Sequence, residues 1–190
     1  MPALTATHEP AARARDERGY TRTAIWLHWL LGLALLAQIA FGFSLDEIAP
    51  RGTPARSGVV NLHKSCGMVL ALFIALRLAW RATHPPPDWP VSMGLGERLA
   101  AQLVHRLLYA CMILMPLSGY VASNFSKFGV VFFGVHLPPW GPPLQDLYAL
   151  FNGIHVGTAF IFTGLIVGHV VAALKHAWLD RDGVFGRMLP

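Results

Sequence analysis

The sequence predicts an all-α membrane protein built as a four-transmembrane-helix bundle. Three observations predict it: long apolar blocks, one-sided basic residues, and histidines inside the blocks. Of 190 residues, 54% are hydrophobic and 13% charged, with a mean hydropathy of +0.47. An ordinary soluble domain is about 25% charged, and one of this length has too little interior to hide so much apolar surface. The excess is concentrated in Ala24–Phe43, Leu62–Trp80, Leu99–Ala122 and Leu147–Leu174. Each block meets or approaches the roughly 20 residues that a helix needs to cross about 30 Å of hydrocarbon. This composition excludes disordered, collagen-like and disulfide-framework chains.

Residues 1–18, rich in Ala, Arg and Glu, read as a cytoplasmic tail, 19–180 as the transmembrane domain and 181–190 as a second cytoplasmic tail. The polar, Arg-rich start has no short apolar stretch with a small-residue cleavage site, so the first block reads as a retained span. Span 1 ends near Ser44, before a polar outer loop with Asp46, Glu47, Pro50, Gly52 and Pro54. Span 2 stops before His84-Pro85-Pro86-Pro87, because successive prolines cannot continue a helix. Trp26, Trp29, Trp80 and Trp89 read as interfacial anchors. Pro116 and Gly119 predict a bend near the outer end of span 3. Ser123–Asp146, broken by prolines yet rich in Phe, reads as an outer loop lying on the membrane and capping the bundle.

The charge of +5 is a topology signal and implies no nucleic-acid partner. Arg13, Arg15, Arg18 and Arg22 precede span 1; Arg77, Arg81, Arg98 and Arg106 surround the link between spans 2 and 3; Lys175, Arg181 and Arg187 close the chain. Only Arg51, Arg56, Lys64 and Lys127 fall on the other side. The positive-inside rule therefore puts both termini in the cytoplasm, as an even number of spans requires. Cys66 and Cys111 form no CxxC or CxxCH motif, which leaves no thiol-based zinc site and no covalent c-type haem attachment. Buried free thiols are the plainer reading, with a disulfide between them left open.

Nine histidines are the anomaly in so apolar a chain. His8, His84, His136 and His176 fall in tails, loops or an interfacial end and read as solvated or anchoring groups. His28, His63, His105, His155 and His169 lie in or at the edges of spans, where an ionisable group normally faces the bundle interior with a partner. His155 and His169 are 14 residues apart, about 21 Å and close to four turns, so they share one face. Alternating topology sorts the histidines into an inner pair, His28 with His169, and an outer pair, His63 with His155. Two facing imidazoles at each of two depths suit the iron of two b-type haems, and with both axial positions filled such iron moves electrons and binds no gas. Helix–helix hydrogen bonding is the competing reading. A catalytic zinc or di-iron site would want carboxylates or a third close His, and the span interiors almost lack Asp and Glu.

Gly32 and Gly67, each four residues beyond a paired histidine, leave bare helix surface for a flat macrocycle, although small residues also favour close helix packing. Arg77, 14 residues after His63, lies near the inner depth. It either meets a haem propionate or snorkels to the cytoplasmic surface.

An ordered set of motifs resembles the bacterial cytochrome b561 family. It comprises Tyr20-Thr21-Arg22 before Leu27-His28-Trp29, Leu62-His63-Lys64-Ser65-Cys66-Gly67 and Arg77-Leu78-Ala79-Trp80-Arg81. It continues with His105-Arg106-Leu107-Leu108-Tyr109, Met115-Pro116-Leu117-Ser118-Gly119, His155, Gly168-His169 through Lys175-His176, and Arg187-Met188. The similarity runs from about Gly19 to the C-terminus. It implies a four-helix, two-haem cytochrome of the bacterial inner membrane, with His28, His63, His155 and His169 at the ligand positions. It also implies electron transfer between a reduced donor and ubiquinone or another quinone. One branch of the family takes electrons from superoxide at the periplasmic face; more distant relatives are cytochrome b subunits that serve a partner dehydrogenase or hydrogenase. Within that frame, His105 reads as a group for a propionate or a quinone carbonyl, or as a substitute ligand. Lys64, Arg51, Arg56 and Lys127 read either as a rim that steers an anionic donor or as ordinary solvated charges.

Overall fold

The computed structural model describes residues 19–189. The expected tail at 1–18, with His8, Arg13, Arg15 and Arg18, lies outside the described residues, as does Pro190.

Four long helices form the bundle: α1 (Arg22–Phe43), α3 (Arg56–Thr83), α4 (Leu95–Phe125) and α5 (Gln145–Lys175), with a short α2 (Leu45–Ile48) after α1. All four are long and apolar enough to cross a membrane. Thr21 caps α1 by accepting the Ala24 N–H at 3.3 Å, satisfying one of the free donors of the first turn. α3 ends at Thr83, with His84 as its cap and the proline run beyond. It starts six residues before the apolar block, with a polar first turn. There Arg56 pairs with Asp46 at 2.7 Å and donates to the carbonyls of Leu45 and Ala49, tying α3 to α2. α4 runs through Pro116 without ending.

α4 and α5 pack most extensively, and α1 packs mainly on α3. α5 meets α1 through Phe43–Phe160, with centroids 5.0 Å apart, and joins α1 and α3 in the core through Phe162. Leu31, Leu35 and Ile39 of α1, Ile74 of α3, Cys111 and Met112 of α4 and Phe162 of α5 make the central core. Each long helix contributes to it, and outward residues such as Leu33 and Phe160 remain exposed, as lipid-facing residues would. Cys66 and Cys111 are free thiols.

The expected surface loop contains a β-hairpin, β1 (Val130–Phe132) antiparallel to β2 (Val135–Leu137), with Phe132 opposite Val135. Phe133 (φ 43°) and Gly134 (φ 91°) form its two-residue turn. Two successive positive φ values match the twist of antiparallel strands. Buried Ser65 fastens the hairpin to α3: its Oγ accepts the Phe133 N–H at 2.9 Å and lies 3.2 Å from the Val131 carbonyl. Lys64 Nζ donates to the Gly129 carbonyl at 3.0 Å.

At the other end of the bundle, α5 widens into one π turn, His176–Asp180, followed by a 3₁₀ turn, Phe185–Met188. His176 Nδ1 lies 2.7 Å from Asp182, and Lys175 bridges Asp180 and Glu97. Trp29 Nε1 donates to the Met188 carbonyl at 2.6 Å, closing the C-terminal segment against α1.

Phe162, 2% exposed, sits seven residues from both His155 and His169, so it holds the middle of the bundle. Phe162→Ala is expected to destabilise the fold by about 3–5 kcal/mol. Equilibrium unfolding in detergent checks this, and a cost under about 1 kcal/mol would contradict a packed central layer.

Candidate metal centres

His28 and Arg77 come from the ends of α1 and α3 that lie on the His169 side of the core, and His63 and His155 from the other side. The histidines meet in the expected pairs. The His28 and His169 ring centroids are 6.2 Å apart, and those of His63 and His155 are 6.3 Å apart. All four side chains are half-buried.

That spacing has a chemical meaning. An imidazole nitrogen binds a first-row metal at about 2.0–2.1 Å, and its ring centroid stands roughly 1.1 Å behind it, so two rings on opposite sides of one metal have centroids about 6.2–6.4 Å apart. Rings hydrogen-bonded to each other would stand closer, whereas edge-to-face ring pairs, as these are at 71° and 80°, also occupy this range. Both pairs have the separation of a sandwiched metal. His105 lies 5.3 Å from His169, too close to share a metal with it in that geometry.

Glycine faces border both outer rings. A Cβ at Gly119 would stand 2.8 Å from His155 Nδ1, and one at Gly42 would stand 3.0 Å from His63 Cε1. A side chain at either position would displace the imidazole. Among the described residues, no atom lies within 4 Å of a Cβ built at Gly32, and one at Gly67 would meet only Gln38 Nε2, at 3.4 Å. These two positions have the room expected of them.

The rings also have polar partners. His155 Nδ1 donates to the Met115 carbonyl at 2.7 Å. Gln38 Nε2 donates to the His63 carbonyl at 2.7 Å and lies 3.1 Å from His63 Nδ1. Arg77 Nη2 lies 3.3 Å from His28 Nδ1, so the guanidinium points into the bundle at this level. One turn along α3, the Trp80 indole N–H is buried with no partner among the described residues. Arg77 and Trp80, three residues apart, offer donors on one helix face, which fits a carboxylate such as a haem propionate.

Sequence reasoning passed over Gln38, Gly42, the Met115 carbonyl and the free Trp80 N–H. Gln38 carried a readable signal, as an amide among apolar residues of span 1. In the sequence Gly119 signals only a bend, whereas its missing Cβ admits the His155 ring.

Residues 19–190 match the prokaryotic cytochrome b561 family. The chain belongs to that family. Haem b and transmembrane electron transfer come with this membership. The chain is 28% identical to cytochrome b561 homolog 1 of Escherichia coli (strain K12) over 178 residues, which cover 90% of this chain and 97% of that protein. It is 30% identical to cytochrome b561 homolog 2 of the same organism over 163 residues, 85% of this chain and 86% of the relative. It is 26% identical to a protein of Yersinia pestis named probable superoxide oxidase CybB, over 90% of this chain and 96% of that one.

For this b-type cytochrome, Gln38→Leu removes both polar contacts to His63. Gln38 Nε2 can only donate, so with the ring proton on Nδ1 its remaining bond is to the His63 carbonyl, and loss of a group that orients a metal ligand typically weakens metal binding 10- to 100-fold. Haem transfer to an acceptor protein should accelerate by about tenfold or more; an unchanged rate would mean that Gln38 does not hold the ring.

Proposed function

We propose that this protein carries electrons across the bacterial inner membrane through two bis-histidine b-type haems. In this reading His28 and His169 hold the inner haem iron, and His63 and His155 hold the outer one. The ring separations of 6.2 and 6.3 Å carry the reading, because two independent pairs share the spacing that one metal between two imidazoles requires. Bound haem b supplies reversible one-electron transfer, and with two imidazole ligands it has no free position for oxygen.

The chain's own groups do the rest. Arg77 and the Trp80 N–H supply donors for an inner propionate. His105, beside His169 and outside the sandwich geometry, is a hydrogen-bonding group for a propionate or a quinone carbonyl. The central layer around Leu35, Ile74, Cys111 and Phe162 excludes water between the two levels. Both termini lie in the cytoplasm in this reading, since the basic residues cluster at that end.

The electron donor is a periplasmic one-electron reductant, for which superoxide is the chemical candidate, and the acceptor is ubiquinone or another quinone. The relative named as a probable superoxide oxidase supports this donor. So does Lys64, whose ammonium stands at the hairpin next in sequence to His63. Arg51 and Arg56 contribute less to the rim, because both pair with Asp46.

Haem counting tests the ligands. Wild-type protein should bind two haems per chain, and His63→Ala or His28→Ala should bind one. His105→Ala should keep two while quinone reduction falls; loss of a haem in that variant would make His105 a ligand and overturn the pairing. Superoxide-driven quinone reduction by the purified chain tests the donor. Its rate should fall with added salt and in Lys64→Gln. A rate indifferent to both would remove steering, and no reduction without a partner dehydrogenase would favour a membrane-anchor role.

A further inference from the structure

The Nδ1 atoms of the paired rings have unlike neighbours at the two levels. At the outer level His155 Nδ1 lies 2.7 Å from the Met115 carbonyl oxygen. Gly119, one turn along the same helix, opens that approach, since a Cβ there would stand 2.8 Å from the same nitrogen. A carbonyl acceptor keeps the ring proton on Nδ1, leaves the Nε2 lone pair for a metal and makes the ring a stronger donor. The other outer ring, His63, meets the neutral Gln38 amide.

At the inner level the neighbour is a cation. Arg77 Nη2 lies 3.3 Å from His28 Nδ1, and its Nη1 is 3.5 Å from the Ala24 carbonyl, so α1 keeps the guanidinium beside the ring; when Nδ1 carries the proton that frees Nε2 for a metal, the contact is one of charge and not a hydrogen bond. Arg stays charged at any working pH. The outer level has Lys64 nearby, but its ammonium is bonded to the Gly129 carbonyl rather than to a ring nitrogen.

These partners act in opposite directions on a bound metal. An acceptor at Nδ1 pushes electron density toward the metal and favours its oxidised form, whereas a fixed positive charge in a medium of low dielectric favours the reduced form. We propose that the Met115 carbonyl, admitted by Gly119, lowers the reduction potential at the His63–His155 level, and that Arg77 raises it at the His28–His169 level. One electron entering at the outer level then runs downhill to the inner one. Gly119 and Met115 are positioning residues, acting through His155. This inference rests on the ligand assignment proposed above.

The test is a spectroscopic redox titration of the purified haem-loaded protein and of R77Q, R77K and G119A, with haem content measured on each sample. Wild type should titrate as two components. R77Q should move the higher-potential component down and leave the lower one in place, and R77K, which keeps the charge, should restore much of the shift. G119A should move the lower-potential component up. If a variant sheds one haem, R77Q should retain the lower-potential component and G119A the higher one. The inference is overturned if R77Q moves or removes the lower component, if G119A moves or removes the higher one, or if neither component shifts. Wild-type protein with other than two haems would defeat the ligand assignment instead, an outcome separable from these shifts.

Discussion

Two imidazoles from different helices, held about one metal's width apart, set the terms for the rest of this bundle. A polar ring inside hydrocarbon is unfavourable unless a partner satisfies it. The cheapest partner would be another polar group at hydrogen-bonding distance. His155, His63 and His28 have such neighbours in the Met115 carbonyl, Gln38 and Arg77, yet the rings of each pair do not bond one another and stand with centroids more than 6 Å apart. Keeping that separation requires the helices to resist collapse. α5 packs extensively on α4, while the layer centred on Phe162 separates the two levels.

The two ends of the bundle are finished differently. Beside His63, the hairpin is fastened by Ser65 and Lys64, the two residues that follow the histidine in sequence. Ring position and hairpin position are therefore coupled through one turn of α3. Beside His28, the next residue is Trp29, which anchors the C-terminal segment through the Met188 carbonyl. In both cases the histidine proposed as a ligand is flanked by a residue that closes the adjoining end of the bundle.

Much of this was legible in the sequence because hydrophobic length and charge asymmetry are one-dimensional signals. The four spans, the stop at the proline run after Thr83 and the sorting of histidines by depth all follow from counting residues along helices. Features that depend on two helices meeting were not legible. Gly119 looks like a bend beside Pro116 until His155 is seen against it. Gln38 stands 25 residues from His63, with no periodicity connecting them. The hairpin was hidden because Phe133 occupies a positive-φ turn position that Asn, Asp or Gly usually fills. The early start of α3 was missed because a polar first turn lies outside the apolar block that marks a span.

Locating iron in the haem-loaded protein tests the central claim most directly. An anomalous-difference map collected at the iron edge should contain two peaks per chain. One should lie between the His28 and His169 rings and the other between those of His63 and His155. A single peak, or an iron bound by His105, would contradict the account.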